Sequence, residues 1–221
     1  MRKVLIVITS GAVISEIIWQ LYKLYRYQKG SNKNKCRKQL LHKDTEQIFE
    51  VTFYSKESAL CRNHLASFKP CQKENCPIGY IKKIIEYLDS AQSTLDICMY
   101  FFTTSKLAEA VVRAKHRGVV VRIISDHSFL SHSGAQIMYF IKEGIRPMLK
   151  NLNVLMHHKF VIIDNEILIN GSINWTNTAF FGNFENMIIT NEPLILNPFV
   201  KEFEKLWTTF TNESGSDSVS E

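Results

Sequence analysis

The stretch from Val154 to Asn174 constrains the chain more than any other, because an apolar, β-branched run carries a polar pattern that packing alone does not explain. His157, Lys159 and Asp164 stand in the spacing H-x-K-x4-D; six residues then intervene before Gly171 and Ser172, with Asn174 one residue further. Val154-Leu155-Met156 ahead of the pattern and Phe160-Val161-Ile162-Ile163 inside it predict a buried strand running through the motif. With a side-chain period of two, His157 and Lys159 share one face of that strand while His158 and Phe160 take the other. A nucleophile and a cation therefore point at one spot. A lone histidine in such a strand would read as a core residue with its hydrogen bonds satisfied. A whole set of polar positions at fixed spacing points to a site instead.

The chemistry that such a set supports is attack on a phosphodiester. Imidazole can take the phosphoryl group covalently and split one hard displacement into two easier ones. Lys159 then stabilises charge on the phosphate oxygens, with the Ser172 hydroxyl and the Asn174 amide beside it, and no catalytic metal is required.

H-x-K-x4-D-x6-G-S-x-N resembles the motif of the phospholipase D superfamily and, within it, the mitochondrial cardiolipin hydrolase or Zucchini group. Met156-His157-His158-Lys159-Phe160 through Asp164, Gly171 to Trp175-Thr176, and Glu185-Asn186 within Phe184 to Ile189 carry the likeness, which covers roughly residues 78–210. It implies an α/β domain with a mixed central sheet flanked by helices. It also implies that Glu185 orients the histidine through its other ring nitrogen, a role that some carboxylate must fill. Asp164 is carried over into the same catalytic set; strand alternation puts it off the His157 face, so it supports the site rather than touching substrate. The motif occurs once, yet protonating the leaving oxygen needs an acid on the far side of phosphorus. His158 faces away, and His64, His116, His127 and His132 lie in unrelated contexts. Single-motif members of the family resemble halves of two-motif enzymes, which predicts a homodimer sharing one active site.

A chain of 221 residues, 45% hydrophobic, can bury one sizeable core. The formal charge of +6 suggests a nucleic-acid binder until it is located. Eight of the 27 basic residues lie between Leu21 and Lys43, where there is no acid, and two more are Arg2 and Lys3; the other 17 share residues 44–221 with 20 of the 21 acids. Bulk charge therefore says little about what enters a catalytic groove. Val4 to Tyr22 is mostly apolar and lacks Lys and Arg, long enough to span a bilayer, with Glu16 as the objection and Trp19 and Tyr22 suited to an interface. A cleaved signal peptide is the rival reading. The basic segment after the span predicts that the C-terminal domain stays in the cytosol, and the resemblance supplies the address, the outer mitochondrial membrane.

The organisation predicted is an anchor at 1–22, a basic linker at 23–47, a catalytic domain at 48–211 and a disordered tail at 212–221. Within the domain, Ile48 to Tyr54 reads as a strand, Ile81 to Leu88 as a helix, and Leu95 to Phe102, Ser105 to His116 and Val119 to Ile124 as a β-α-β unit with Ser105 as helix N-cap and Gly118 as its stop. Gln136 to Glu143 continues as helix, Phe184 to Thr190 as strand, and Pro198 to Thr211 as a final helix with a core-facing aromatic stripe. Residues 61–76 form an insertion in which Cys61, His64, Cys71 and Cys76 fall within sixteen residues. In a domain facing the cytosol disulfides are disfavoured, and three thiols with one imidazole match a closed tetrahedral structural zinc site. The family resemblance, whose members carry an atypical zinc finger here, points the same way. Cys98 reads as a small core residue.

Three functions follow. One is a metal-independent nuclease of single-stranded RNA, as the Zucchini likeness implies for piRNA biogenesis. A second is hydrolysis of cardiolipin to phosphatidic acid, and the third a membrane-tethered scaffold that binds phosphate without turnover. The complete catalytic set disfavours the scaffold. The nuclease is placed narrowly ahead of the lipase, with Lys106, Arg113, Lys115, His116 and Arg117 read either as a phosphate track or as a solvated helix face.

Overall fold

The computed structural model describes residues 46–73, 75–128, 134–150 and 154–212. Packing divides the chain into Met1–Glu46 and Gln47–Glu221, and the described residues belong almost wholly to the second unit. The expected anchor, nearly all of the linker and nearly all of the tail lie outside them. Among the described residues no helix is long and apolar enough to cross a membrane.

Among the described residues seven strands form one mixed sheet: β1 (Phe49–Tyr54), β2 (Thr94–Met99), β3 (Val120–Asp126), β4 (Met148–Lys150), β5 (Lys159–Ile163), β6 (Ile167–Gly171) and β7 (Glu185–Thr190), in the order β1-β7-β6-β5-β2-β3-β4. The β2-β3-β4 ladders are parallel and the other four antiparallel. The helices are α1 (His64–Ser67), α2 (Pro77–Ser90), α3 (Ser105–His116), α4 (Ile137–Lys142), α5 (Asn177–Gly182) and α6 (Pro193–Asn212), with a 3-10 turn at Lys56–Cys61. Strands β2 and β5 are apolar along almost their whole length because helices cover both faces of the sheet. One face carries Leu95, Ile97, Val161, Ile163, Ile169 and Ile189 against apolar residues of α2 and α3 such as Ile81, Ile84, Leu88 and Val111. On the other face Cys98, Ile124, Phe160, Ile162 and Leu168 pack against Leu196, Phe203 and Phe210 of α6. Each fully buried Phe contributes about 1.5–3 kcal/mol. The predicted aromatic stripe is therefore core. A salt-bridge clasp ties α6 down: Arg122 donates twice to the buried Asp96 at 2.7 Å, reaches Glu204, and lies over the rings of Phe203 and Trp207.

Several boundaries differ from expectation. The motif strand starts at Lys159, not at Val154, because the β2–β5 ladder ends with the Met99–Lys159 pair. Beyond Met99, Phe102 makes only an isolated bridge to Trp175. The N-cap of α3 is Thr104 rather than Ser105, and its hydroxyl is spent on the Trp175 carbonyl. Gly118 does follow the helix with φ +93, a conformation that favours glycine. Helix α6 begins at Pro193, a favoured first-turn position, and runs through Pro198 instead of starting there. Strands β4 and β6 and helix α5 were not expected.

Candidate active site and candidate metal centre

Ladder registers gather the polar residues at one end of the sheet. Lys159 opens β5, Gly171 closes β6 opposite Met187, and Glu185 opens β7 opposite Tyr54 of β1. A Cβ at Gly171 would sit 2.1 Å from the Asn186 carbonyl oxygen, so only glycine allows β6 and β7 this close. His157 precedes β5 by two residues and is exposed. Its Nδ1 lies 3.1 Å from Lys159 Nζ, which also donates to the His157 carbonyl at 2.7 Å. The Tyr100 ring packs 4.5 Å from the imidazole and 5.3 Å from Lys159 Nζ. Partial burial lowers the Lys159 pKa, and the charge of Glu185 works against that shift. With an ammonium on Lys159, Nδ1 is the acceptor of this contact.

Ser172 donates to Glu185 and accepts from the Asn186 amide at 3.1 Å. Glu185 also accepts from the Asn183 amide at 2.9 Å. Among the described residues no hydrogen bond joins Glu185 to His157, so the orienting contact implied by the resemblance is not made in the single chain. Asn174 Oδ1 accepts from the Phe101 amide at 3.3 Å, which steers the segment after β2 toward the site. Asp164 stands at the opposite end of β5 with φ +53, and its carboxylate accepts from the Gln92, Ser93 and Thr94 amides at 2.9, 2.7 and 2.8 Å. It anchors the entry to β2 and touches none of the other site residues. Sequence reasoning missed Tyr100, and also Asp126, whose Oδ2 accepts from the Met156 amide at 3.0 Å. An acid closing a parallel strand was the available signal.

Of the basic residues on α3 and at its C-cap, Lys106 pairs with Glu109, Arg113 and Arg117 pair with Asp89, and His116 lies against Glu143, while Lys115 is exposed.

The insertion brings its four predicted ligands together. The ligand atoms of Cys61, His64, Cys71 and Cys76 all lie within 4.8 Å of one another, with Cys61 Sγ 3.7 Å from Cys71 Sγ and Cys76 Sγ 4.0 Å from His64 Nδ1. Four donors about 2.3 Å from a central zinc stand about 3.8 Å apart, so the edge lengths fit. The cysteines are free thiols. Burial and the two neighbouring thiols push Cys61 up to about 11, whereas Cys76, despite its burial, is drawn down to about 6 by bonds from the Cys71 backbone and His64. Thiolates crowded this closely repel one another, and a divalent cation would relieve that repulsion. Cys76 also caps α2 ahead of Pro77, and Phe68 ends α1 at φ +50, which together fold the excursion back on itself.

The sequence profile of a family described as cardiolipin synthase, PLD-like domain, matches residues 84–207. A mitochondrial cardiolipin hydrolase of Chlamydomonas reinhardtii is 35% identical over 169 residues, 74% of each chain. One of Drosophila melanogaster is 30% identical, covering 94% of this chain and 88% of its own. Among solved structures, Nuc of Salmonella typhimurium, a phospholipase D family member, shares the fold with a TM-score of 0.58 and 24% identity over 74% of this chain and 95% of that one. The profile match spans Tyr100, His157, Lys159, Ser172, Asn174 and Glu185, and the chain belongs to the phospholipase D superfamily as a hydrolase of phosphodiester bonds.

Proposed function

We propose that the chain cleaves phosphodiesters through a phosphohistidine at His157, without a catalytic metal, and that its substrate is a phospholipid diester of the cardiolipin type. The contact between Lys159 and His157 carries the reaction: the ammonium supplies the positive charge that other sites draw from a metal. As the phosphate arrives, Lys159 turns from Nδ1 to its oxygens. The imidazole forms a P–N bond, the P–O bond to the leaving group breaks, and a proton goes to the departing oxygen. Water then breaks the P–N bond and releases the phosphate monoester.

The surroundings favour lipid over the nuclease placed first on sequence grounds. Val154 and Leu155 beside His157 are 75% and 62% exposed, and Phe184 beside Glu185 is 78% exposed, an apolar border suited to acyl chains. Lys106, Arg113 and Arg117, three of the cations that a strand of RNA would use, are paired with acids. The relatives are named mitochondrial cardiolipin hydrolases, which supports a mitochondrial place; the outer membrane, with the domain toward the cytosol, is our reading from the basic segment after Val4 to Tyr22. One observation keeps the second reading, single-stranded RNA cleavage in piRNA biogenesis: the half-buried Tyr100 ring against His157 offers a stacking platform for a base.

The single motif supports a homodimer in which the partner's histidine is the general acid. The cysteine cluster supports a structural zinc held by Cys61, His64, Cys71 and Cys76, with no position left for water. The test offers cardiolipin vesicles and single-stranded RNA to one preparation, with His157→Asn as blank, and traps the phosphoenzyme by acid quench. Phosphohistidine with phosphatidic acid release supports the lipid reading; RNA cleavage alone selects the second. Turnover with no label on histidine overturns both. Mixing wild type with excess His157→Asn should cut activity as the square of the wild-type fraction, and a linear decline would overturn the shared site.

A further inference from the structure

The catalytic histidine sits on a segment that the sheet does not hold. Residues 155–158 lie outside any strand, and the first residue in the ladder is Lys159. Besides the Tyr100 ring and Lys159 against His157, the contacts that fix the segment from outside are the Met156 side chain buried against Phe160 and α6, the His158 carbonyl accepting from the Tyr100 amide at 3.1 Å, and the Met156 amide donating to Asp126 at 3.0 Å. The last is a charge-assisted bond immediately before His157, and it crosses thirty residues of sequence.

Asp126 is itself held rigidly. It is the last residue of β3, it pairs with Lys150 of β4 in the ladder, and it is only 7% exposed. Its Oδ1 accepts from the Ser128 amide at 3.0 Å and from the Ser128 hydroxyl at 2.6 Å, leaving Oδ2 aimed at Met156. A buried carboxylate with both oxygens committed is expensive to keep unless its bonds are all made, so its orientation is specified.

We infer that Asp126 is a positioning residue for the phosphoryl-transfer reaction: by holding the Met156 amide it sets where the His157 imidazole stands relative to Lys159 and the incoming phosphorus. The inference rests on His157 being the nucleophile. A shift of about 1 Å in an attacking group is enough to lower a rate about 100-fold.

The experiment measures kcat and KM on the full chain, with an activated aryl phosphodiester as substrate and the rate of phosphohistidine formation as second readout. Asp126→Ala should lower kcat and the phosphorylation rate per folded site about 100-fold, with KM within about two-fold of wild type. Asp126→Asn keeps one acceptor for Met156 but strands the Ser128 amide, so it should fall between alanine and wild type. The Met156 amide proton, followed by NMR, should move upfield in the alanine variant as its carboxylate acceptor is removed. If Asp126→Ala does not fold, the asparagine variant decides: a rate within two-fold of wild type overturns the inference. A folded alanine variant with full phosphorylation rate does so as well. His157→Asn run beside them separates the failures: if it remains active, the nucleophile assignment is wrong, and if it is dead while Asp126→Ala is fully active, only the positioning role is wrong.

Discussion

The two ends of β5 carry residues of one motif in opposite surroundings. At the first end His157 is exposed and outside the ladder, and its ring contacts are a lysine and a tyrosine ring. At the other, Asp164 turns the chain at positive φ and gives its whole carboxylate to three successive backbone amides. A group that must meet substrate needs unspent bonding capacity, whereas a group that fixes a strand needs none left over. Membership of a motif therefore does not define a role; the partners of each side chain do.

The sharpest way to break this comparison is to remove chemistry at one end and anchorage at the other. His157→Asn should leave less than about 1% of wild-type turnover with an unchanged melting curve, since an amide forms no stable phosphoryl intermediate; several per cent of residual rate would mean another nucleophile. Lys159→Ala should lose about 100-fold in kcat with little change in KM, and a loss confined to KM would turn Lys159 into a binding group only. Asp164→Ala should instead lose about 2–3 kcal/mol in urea unfolding, with kcat per folded site within about two-fold. Equal damage to kcat at unchanged stability would erase the distinction drawn here.

Two smaller effects sharpen the contrast between the His157 end of the sheet and the cysteine cluster. Cys71→Ser should lower the zinc content below one per chain and lower Tm while the chemical step is unaltered, as for a site that ties a loop to the body; stoichiometric zinc in the variant would refute the ligand set. Brief EDTA treatment of the intact protein should leave turnover unchanged. Immediate inhibition reversed by magnesium would overturn the metal-free scheme.

The β2-α3-β3 unit was legible to within a few residues because its signals are local: apolar runs, a helical period and Gly118 past the helix end. Strand β6 escaped because its five residues fill the spacing between two motif elements, and β4 because three residues carry no period. The cysteine cluster was visible because ligand identity belongs to residue type and needs no neighbour to declare it. Asp126 was less so: an acid closing a parallel strand marks the position, but its partner is a backbone amide thirty residues away, which no side-chain pattern records. The start of β5 was misplaced for a related reason: Val154 and Leu155 are strand-like residues that pair with no strand among the described residues.

The close approach at Gly171 gives this protein a position that a genetic screen would misfile. One added methyl at 171 must move the Asn186 carbonyl by about 1 Å, since real side chains do not come within 3.0 Å of such an atom. That displacement would carry with it the adjoining Glu185 and the Ser172 bonds that bridge the two strands. Loss-of-function alleles at Gly171 would then cluster with those at His157, although glycine contributes no atom to the reaction. Scored by phenotype alone, a spacer would pass for a reactant.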